Sequence, residues 1–194
     1  LLIKKQLPFD PINGEPLTLI NMGNIYRGVE GNEIVVEAFG QRTKADRQKA
    51  LEYYLRALEI SREFQKSNPG ARTRENYLIL QIGNTNKELG NHEEALKYLN
   101  KALEVANAGN PSAYKIYVLM ALGNLHNLKS EYQKSGEYYE QTLELLKKGI
   151  DRIHQTRYLV IIAQDYYRAG ETQKALDLSN ESLTLSRSRE QQTI

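Results

Sequence analysis

The stretch YLILQIGNTNKELGNHEEALKYLNKAL, residues 77–103, decides the fold of this chain. Its apolar residues recur at the three- and four-residue spacing of one face of an α-helix. Gly90-Asn91 interrupts the pattern, and this dipeptide is a strong turn signal. The stretch therefore predicts two short amphipathic helices that are joined by a tight turn.

Two later parts of the chain repeat this stretch with a period of 40 residues. Three sets of small residues keep the spacing: Gly83, Gly123 and Ala163; Ala95, Ser135 and Ala175; and Ala102, Thr142 and Ser182. A fixed period in this range indicates a solenoid or another repeat array. Small residues at fixed places let two helix backbones approach closely, and each helix pair depends on its neighbours to cover its apolar stripe.

The pattern within each unit resembles the tetratricopeptide repeat. That signature has a large apolar residue, an apolar-Gly pair and an aromatic residue in the first helix, then Ala-x3-aromatic in the second. The first-helix matches begin at Leu19, Ile79, Leu119 and Leu159, and the second-helix matches begin at Ala50, Ala95, Ser135 and Ala175. The resemblance covers about residues 16–188. It implies an all-α, right-handed superhelical solenoid of about four antiparallel helix pairs.

Two features depart from the usual signature. The chain has no Trp, which often occupies the first apolar position, and its unit is longer than the usual ~34 residues. The period is similar to that of the long-repeat subgroup, which includes kinesin light chains, scaffolds that orient mitotic spindles and many bacterial signalling arrays. The period alone does not separate these classes.

The register of the repeats predicts the domain organisation. Three prolines within residues 1–16 indicate a linker or the end of a preceding repeat. The four repeats are expected at about 17–67, 72–108, 112–148 and 151–188, followed by a frayed tail over 189–194. The first repeat carries an insertion within 28–44. Its apolar residues either pack on the array's own end, which we favour, or form a partner-binding loop.

Composition restricts the classes of partner and the compartment. The net charge of +2 gives no large basic field, so nucleic acid is not an expected partner. The absence of Cys suits a reducing, cytoplasmic location. No apolar run approaches the ~18 residues that a membrane span needs, so no membrane partner is expected. The chain begins with Leu rather than Met, which suggests a piece of a longer protein.

Catalytic and metal-binding patterns are not found in the sequence. His92, His126 and His154 share no metal-ligand spacing, and neither a phosphate-binding loop nor a nucleophile elbow is present. We expect His126 to pack in the aromatic position after Gly123. The sequence therefore predicts a protein that is not an enzyme and that binds no cofactor or metal.

An amide side chain recurs after the signature small residue. In the arrays that this chain resembles, the first helices line a concave groove, and this position points into it. A side-chain amide both donates and accepts hydrogen bonds, so a ladder of amides can hold an extended peptide by its backbone. By the same mapping, the candidate groove residues are Asn24, Arg27, Tyr77, Gln81, Asn84, Lys87, Tyr117, Asn124, Asn127, Arg157, Gln164 and Tyr167.

An alternative is that the amides brace neighbouring helices and touch no ligand. The two interpretations weigh about evenly for Asn84 and Asn124, and bracing is favoured at the end positions, Asn24 and Gln164. When repeats one to three are aligned with the Lys, Asn and Arg clamp of chaperone-tail-binding repeat domains, only the slot at Asn24 matches, and an alignment that starts at the second repeat is no better. We therefore expect no recognition of a chaperone's terminal carboxylate by that clamp.

The leading functional prediction is a non-catalytic scaffold that binds a peptide segment in the concave groove. A second interpretation is the sensor or regulatory arm of a larger signalling protein. A third is end-to-end self-association, because Leu176, Leu183 and Leu185 of the last helix are expected to present apolar surface.

Overall fold

The structure, a computed structural model, describes residues 14–28, 43–69, 74–109, 112–151 and 154–191. Within these ranges it contains eight α-helices and no strand, which confirms the predicted all-α class. They are α1 (Glu15–Arg27), α2 (Lys44–Ser67), α3 (Glu75–Leu89), α4 (His92–Ala108), α5 (Ala113–Leu128), α6 (Tyr132–Lys147), α7 (Gln155–Arg168) and α8 (Thr172–Gln191). Most of the predicted linker and insertion lies outside the described residues.

The helix ends follow local capping chemistry. Helix α2 begins at Lys44, because Thr43 and Asp46 form a capping box. The Thr43 hydroxyl accepts the Asp46 N–H at 3.2 Å, and the Asp46 carboxylate accepts the Thr43 N–H at 2.9 Å. Helix α8 continues to Gln191, so part of the predicted frayed tail is helical.

Three helix pairs are joined by the same type of turn, including the turn predicted at Gly90-Asn91. In each turn a backbone N–H bonds to the carbonyl five residues earlier at 2.9 Å: Asn91 to Asn86, Glu131 to His126, and Glu171 to Tyr166. This Schellman arrangement requires a left-handed residue after the helix. Gly90 and Gly170 have φ of 81° and 83°, and Ser130 adopts φ of 60° at the corresponding place.

The signature glycines make room for tyrosine rings. A Cβ atom on Gly23 would lie 2.5 Å from Cε1 of Tyr54, and one on Gly123 would lie 2.3 Å from Cε1 of Tyr139. Both tyrosines are fully buried. Glycine is therefore needed in the first helix because the ring of the second helix lies directly against its backbone.

The chain forms two compact units, and the division between Tyr98 and Leu99 falls within α4. In the first unit, α2 packs against both α1 and α3. In the second unit, α5 packs on α6, α7 packs on α8, and α7 also contacts α5 and α6. The core of the second unit includes Ile116, Leu119, Tyr139, Tyr158, Ile162 and Tyr166.

The outer face of α8 carries apolar side chains, as the sequence predicts. Leu176 and Leu183 are 53% and 48% exposed, whereas Leu185 is half-buried. Among the helices that the structure describes, none is long and apolar enough to cross a membrane. Self-association through α8 stays a prediction.

Candidate functional site

Asn24 on α1 joins α1 to α2 and α3 of the first unit. Its Oδ1 atom accepts hydrogen bonds from the hydroxyls of Tyr54 on α2, at 2.7 Å, and Tyr77 on α3, at 2.8 Å. Burial raises the pKa of both tyrosines, so the hydroxyls keep their protons and act as donors. This geometry corresponds to the bracing interpretation of Asn24.

Arg27 and Gln81 also form contacts within the first unit. The Arg27 guanidinium forms an ion pair with Glu88 at 2.6 Å, and its second nitrogen donates to Oε1 of Gln81. Gln81 is buried, and the Arg27 side chain is largely buried. These two candidates therefore tie α1 to α3, and a ligand would have to compete with the ion pair for Arg27.

Asn84 and Lys87 are the more accessible candidates on α3. Both side chains are half-buried. No residue within the described ranges forms a hydrogen bond with the Asn84 side chain. Asn84 therefore keeps both the donor and the acceptor of its amide for a ligand.

The polar centre of the second unit is Asp165 on α7, a residue that the sequence analysis did not single out. It is 1% exposed. Its carboxylate accepts hydrogen bonds from the Tyr139 hydroxyl, from Nη1 of Arg168 at 2.7 Å and from Nδ2 of Asn124 at 3.4 Å. Its backbone carbonyl accepts Nδ2 of Asn127 at 3.1 Å. Burial, followed by the Asp165 carboxylate, raises the pKa of Tyr139.

Helix α7 presents the most open set of candidate residues. Tyr167 is 68% exposed and Val160 is 41% exposed, and Arg157 and Gln164 are also exposed. Their spacing of three, four and three residues places them on one helical stripe. Arg168 lies at the end of the same stripe. The α7 stripe, which consists of Arg157, Val160, Gln164, Tyr167 and Arg168, therefore carries cationic, aliphatic, amide and aromatic groups together.

Tyr117 on α5 is exposed at the edge of an aromatic cluster. Its ring lies 6.1 Å from that of Tyr158, edge to face, and 6.4 Å from that of His154. The Tyr158 hydroxyl donates to Oδ2 of Asp151 at 2.7 Å, and Oδ1 of Asp151 lies 2.7 Å from Nδ1 of His154. The cluster therefore holds Tyr117 beside two fixed rings.

His126 has a packing role, as expected from its position. The ring is buried and stacks on Tyr138, with centroids 5.4 Å apart. Its Nδ1 atom lies 2.6 Å from Oε2 of Glu131, across the α5–α6 turn. In the described part of the chain, no group of three or more His, Cys, Asp or Glu side chains is arranged to hold a metal ion.

Comparison with known proteins identifies the family. The tetratricopeptide-repeat family model matches residues 74–148 and, in an overlapping position, residues 115–188. The chain belongs to the tetratricopeptide-repeat family. A crystal structure of BtubC (BKLC) from P. vanneervenii is similar in fold, with a TM-score of 0.69 and 19% sequence identity. The similarity covers 95% of this chain and 68% of that one. A search of curated proteins found no match.

Membership of the family gives the broad class of function. Tetratricopeptide repeats are generally scaffolds for protein interaction, and they are typically non-catalytic. In this tetratricopeptide-repeat chain, the candidate residues divide into two groups. One group bonds within its own unit, as Asn24, Arg27 and Gln81 do, and the other is accessible, as Asn84 and the α7 stripe are.

Proposed function

We propose that this chain is a non-catalytic interaction module that binds a peptide segment in a concave groove, through residues of its first helices, α1 and α3 in the first unit and α5 and α7 in the second. The observation that carries the proposal is the open stripe on α7. There Val160, Gln164 and Tyr167 are exposed together on a helix whose opposite face is firmly packed.

The chemistry of that stripe supports peptide binding. Tyr and Arg are enriched among the residues that dominate interface energetics, because each combines a large contact area with hydrogen bonding. The α7 stripe contains both of these residue types, as Tyr167 and Arg168. The only carboxylate of α7, that of Asp165, is buried outside the stripe, so the stripe presents cationic and neutral groups to a partner.

The asparagines supply hydrogen bonds that do not depend on the peptide's sequence. Asn84 has an unoccupied amide among the described residues, and Asn124 uses only its Nδ2 group within its unit. An extended peptide has an N–H and a C=O at nearly every residue, so side-chain amides can bind its backbone.

A peptide selection tests the proposal. The whole chain would be used to select binders from a random peptide library displayed on phage, and the affinity of a synthesised binder would be measured by fluorescence anisotropy. We expect Asn84→Ala with Asn124→Ala to weaken binding by about 10-fold or more, because two hydrogen bonds of about 1 kcal/mol each are lost. Asn100→Ala with Asn180→Ala is the matched control, because both asparagines are exposed on second helices.

A tyrosine pair tests the α7 stripe separately. Tyr167→Ala is expected to weaken binding at least 5-fold, since truncation of an interface anchor costs about 1 kcal/mol or more. Tyr132→Ala is the control, because Tyr132 is exposed on a second helix, α6. Equal affinity of all four variants and the wild type would exclude the first-helix groove as the binding site.

A further inference from the structure

We propose that Asp165 is a positioning residue that fixes the direction of two groove amides, so that the second unit presents hydrogen-bond acceptors to the N–H groups of a bound peptide. This inference rests on the proposed function. The relevant contacts are those of Asp165 with Asn124 and Asn127 on α5.

The direction of each amide follows from the chemistry of its partner. Carboxylate and backbone carbonyl oxygens only accept hydrogen bonds. Asn124 faces the Asp165 carboxylate at 3.4 Å, and Asn127 faces the Asp165 backbone carbonyl at 3.1 Å. Each asparagine must therefore turn its NH₂ group toward Asp165 and its Oδ1 atom away, because the opposite orientation would place two oxygens against each other.

The carboxylate of Asp165 is itself held in place. The Tyr139 hydroxyl donates to Oδ2, and Arg168 donates to Oδ1 at 2.7 Å. With 1% exposure, Asp165 has little room to change its rotamer. A fixed anion with partners on α6 and α7 thus sets the orientation of a side chain on α5.

The two amide oxygens remain available to a ligand. No described residue donates a hydrogen bond to Oδ1 of Asn124 or Asn127, and neither atom is both buried and without a partner. Both oxygens therefore reach solvent. They select for a donor, which in a peptide is a backbone N–H group.

In the described part of the first unit, no carboxylate holds an amide of a first helix in this way. Asn24 accepts hydrogen bonds from the Tyr54 and Tyr77 hydroxyls through Oδ1, so its acceptor atom is used within the first unit and is not offered to a ligand. Asn84 has no partner among the described residues. The position corresponding to Asp165 is occupied by Ile25, Thr85 and Leu125 in the other repeats, none of which is a carboxylate. Among the described residues, amides that are oriented by Asp165 occur in the third repeat alone.

The first experiment needs no ligand. Hydrogen exchange of the assigned Asn124 and Asn127 side-chain NH₂ groups would be followed by ¹H–¹⁵N NMR. In the wild type we expect these groups to exchange about five-fold more slowly than the Asn84 NH₂ group, as for a hydrogen bond of about 1 kcal/mol. Asp165→Leu, which removes both acceptor oxygens, should abolish the protection of Asn124. Tyr139→Phe should retain it, because the carboxylate stays in place.

The second experiment measures the selectivity for N–H donors. The probe is the peptide selected by phage display, synthesised with a single N-methyl group at each position in turn. We expect one or two N-methylated forms to bind the wild type about 10-fold more weakly. A difference due to the N–H group opposite Asn124 should disappear in Asp165→Leu, whereas one opposite Asn127 should remain, because the backbone carbonyl of residue 165 is retained. Tyr139→Phe should keep the difference even if it lowers stability. Leucine is chosen because Leu125 occupies the same position in the preceding repeat, and Asp165→Ala replaces Asp165→Leu if the leucine variant does not fold.

The outcomes separate the two proposals. Unprotected Asn124 NH₂ in the wild type, or a set of N-methyl sensitivities that is the same with and without the carboxylate, would overturn the role of the Asp165 side chain while leaving peptide binding intact. A wild-type chain that selects no peptide would overturn the proposed function, and with it the selectivity for N–H donors. The exchange experiment would still decide whether Asp165 orients the amides.

Discussion

Substitution by Ala is expected to have opposite effects on stability at two glycines of the second unit, Gly123 and Gly136. Gly123 on α5 lies against Tyr139, and an added Cβ atom would lie 2.3, 2.7 and 2.9 Å from three atoms of the ring. Gly136 on α6 is half-buried, and its added Cβ atom would lie 3.8 Å from the Tyr166 hydroxyl, an ordinary contact. Both glycines are inside helices, so Ala should improve helix propensity equally at both sites.

The expected magnitudes follow from these distances. Carbon atoms pack at about 3.5–4 Å, so the Tyr139 ring must move by roughly 1 Å to accept Gly123→Ala. The ring is 1% exposed and its hydroxyl bonds to Asp165, so movement causes overpacking and weakens a charged hydrogen bond. Overpacking costs about 1–3 kcal/mol and the bond about 1.5–3 kcal/mol, against a propensity gain of about 1 kcal/mol. We therefore expect a net loss of about 2–4 kcal/mol for Gly123→Ala and a gain of about 0.5–1 kcal/mol for Gly136→Ala.

Urea denaturation followed by circular dichroism at 222 nm would measure both changes. Midpoints should be compared at equal m-values, because repeat proteins can lose cooperativity and a change in m would signal partial unfolding. A Gly123→Ala variant at least as stable as the wild type would refute the close approach of the Tyr139 ring to α5. A Gly136→Ala variant that loses stability would refute the open space at α6.

Three further predictions concern the turn and the titration of the second unit. Ser130→Gly should raise the free energy of unfolding by about 1 kcal/mol, since Ser130 has φ of 60° and Gly adopts that conformation without strain. Thermal unfolding would measure this gain, and an unchanged unfolding midpoint would contradict the prediction. Folding raises the pKa of Tyr139 above its ordinary value of 10.0, mainly by burial, so the unfolded chain loses its proton first and stability should fall as the pH rises above about 10. Tyr139→Phe should therefore make unfolding midpoints between pH 9 and 11 less dependent on pH, and an unchanged slope would exclude that residue as a source. Bonding to His126 and Lys129 lowers the pKa of Glu131 from 4.5 to about 2, so the contribution of Glu131 to folding stability is present above pH 4.5 and is lost as the pH falls toward 2. Glu131→Gln should therefore lose less stability than the wild type between pH 4.5 and 2. An equal loss in both proteins would contradict the hydrogen bonds of Glu131.

The repeat pattern was readable from the sequence because it depends on residue size at fixed spacing. Gly23 and Gly123 must be small since a tyrosine of the second helix fills the space beside each. The turn at Gly90 was equally readable, because a left-handed residue after a helix strongly favours glycine. Such features need only local spacing and the close packing of two helices.

The polar contacts could not be read in the same way. Asp165 occupies a position that holds the buried Leu125 in the preceding repeat, so periodicity predicts an apolar residue there. The buried carboxylate of Asp165 is satisfied by hydrogen-bond donors that lie 26 and 41 residues away in sequence, Tyr139 and Asn124. A lone carboxylate at a core position was the available signal, and it shows that a partner is needed without showing which one. Whether Asn24 braces a helix or faces a ligand likewise depends on rotamers, which the sequence does not specify.

Mapping the binding surface would decide between the first helices and every other face of the chain. Backbone ¹H–¹⁵N chemical shifts of the labelled chain would be recorded during titration with the phage-selected peptide. We expect the perturbed residues to lie on α3, α5 and α7, with Asn84, Asn124 and the stripe from Val160 to Tyr167 among the largest shifts. Perturbations confined to α2, α6 or the open leucines of α8 would contradict peptide binding by the first helices.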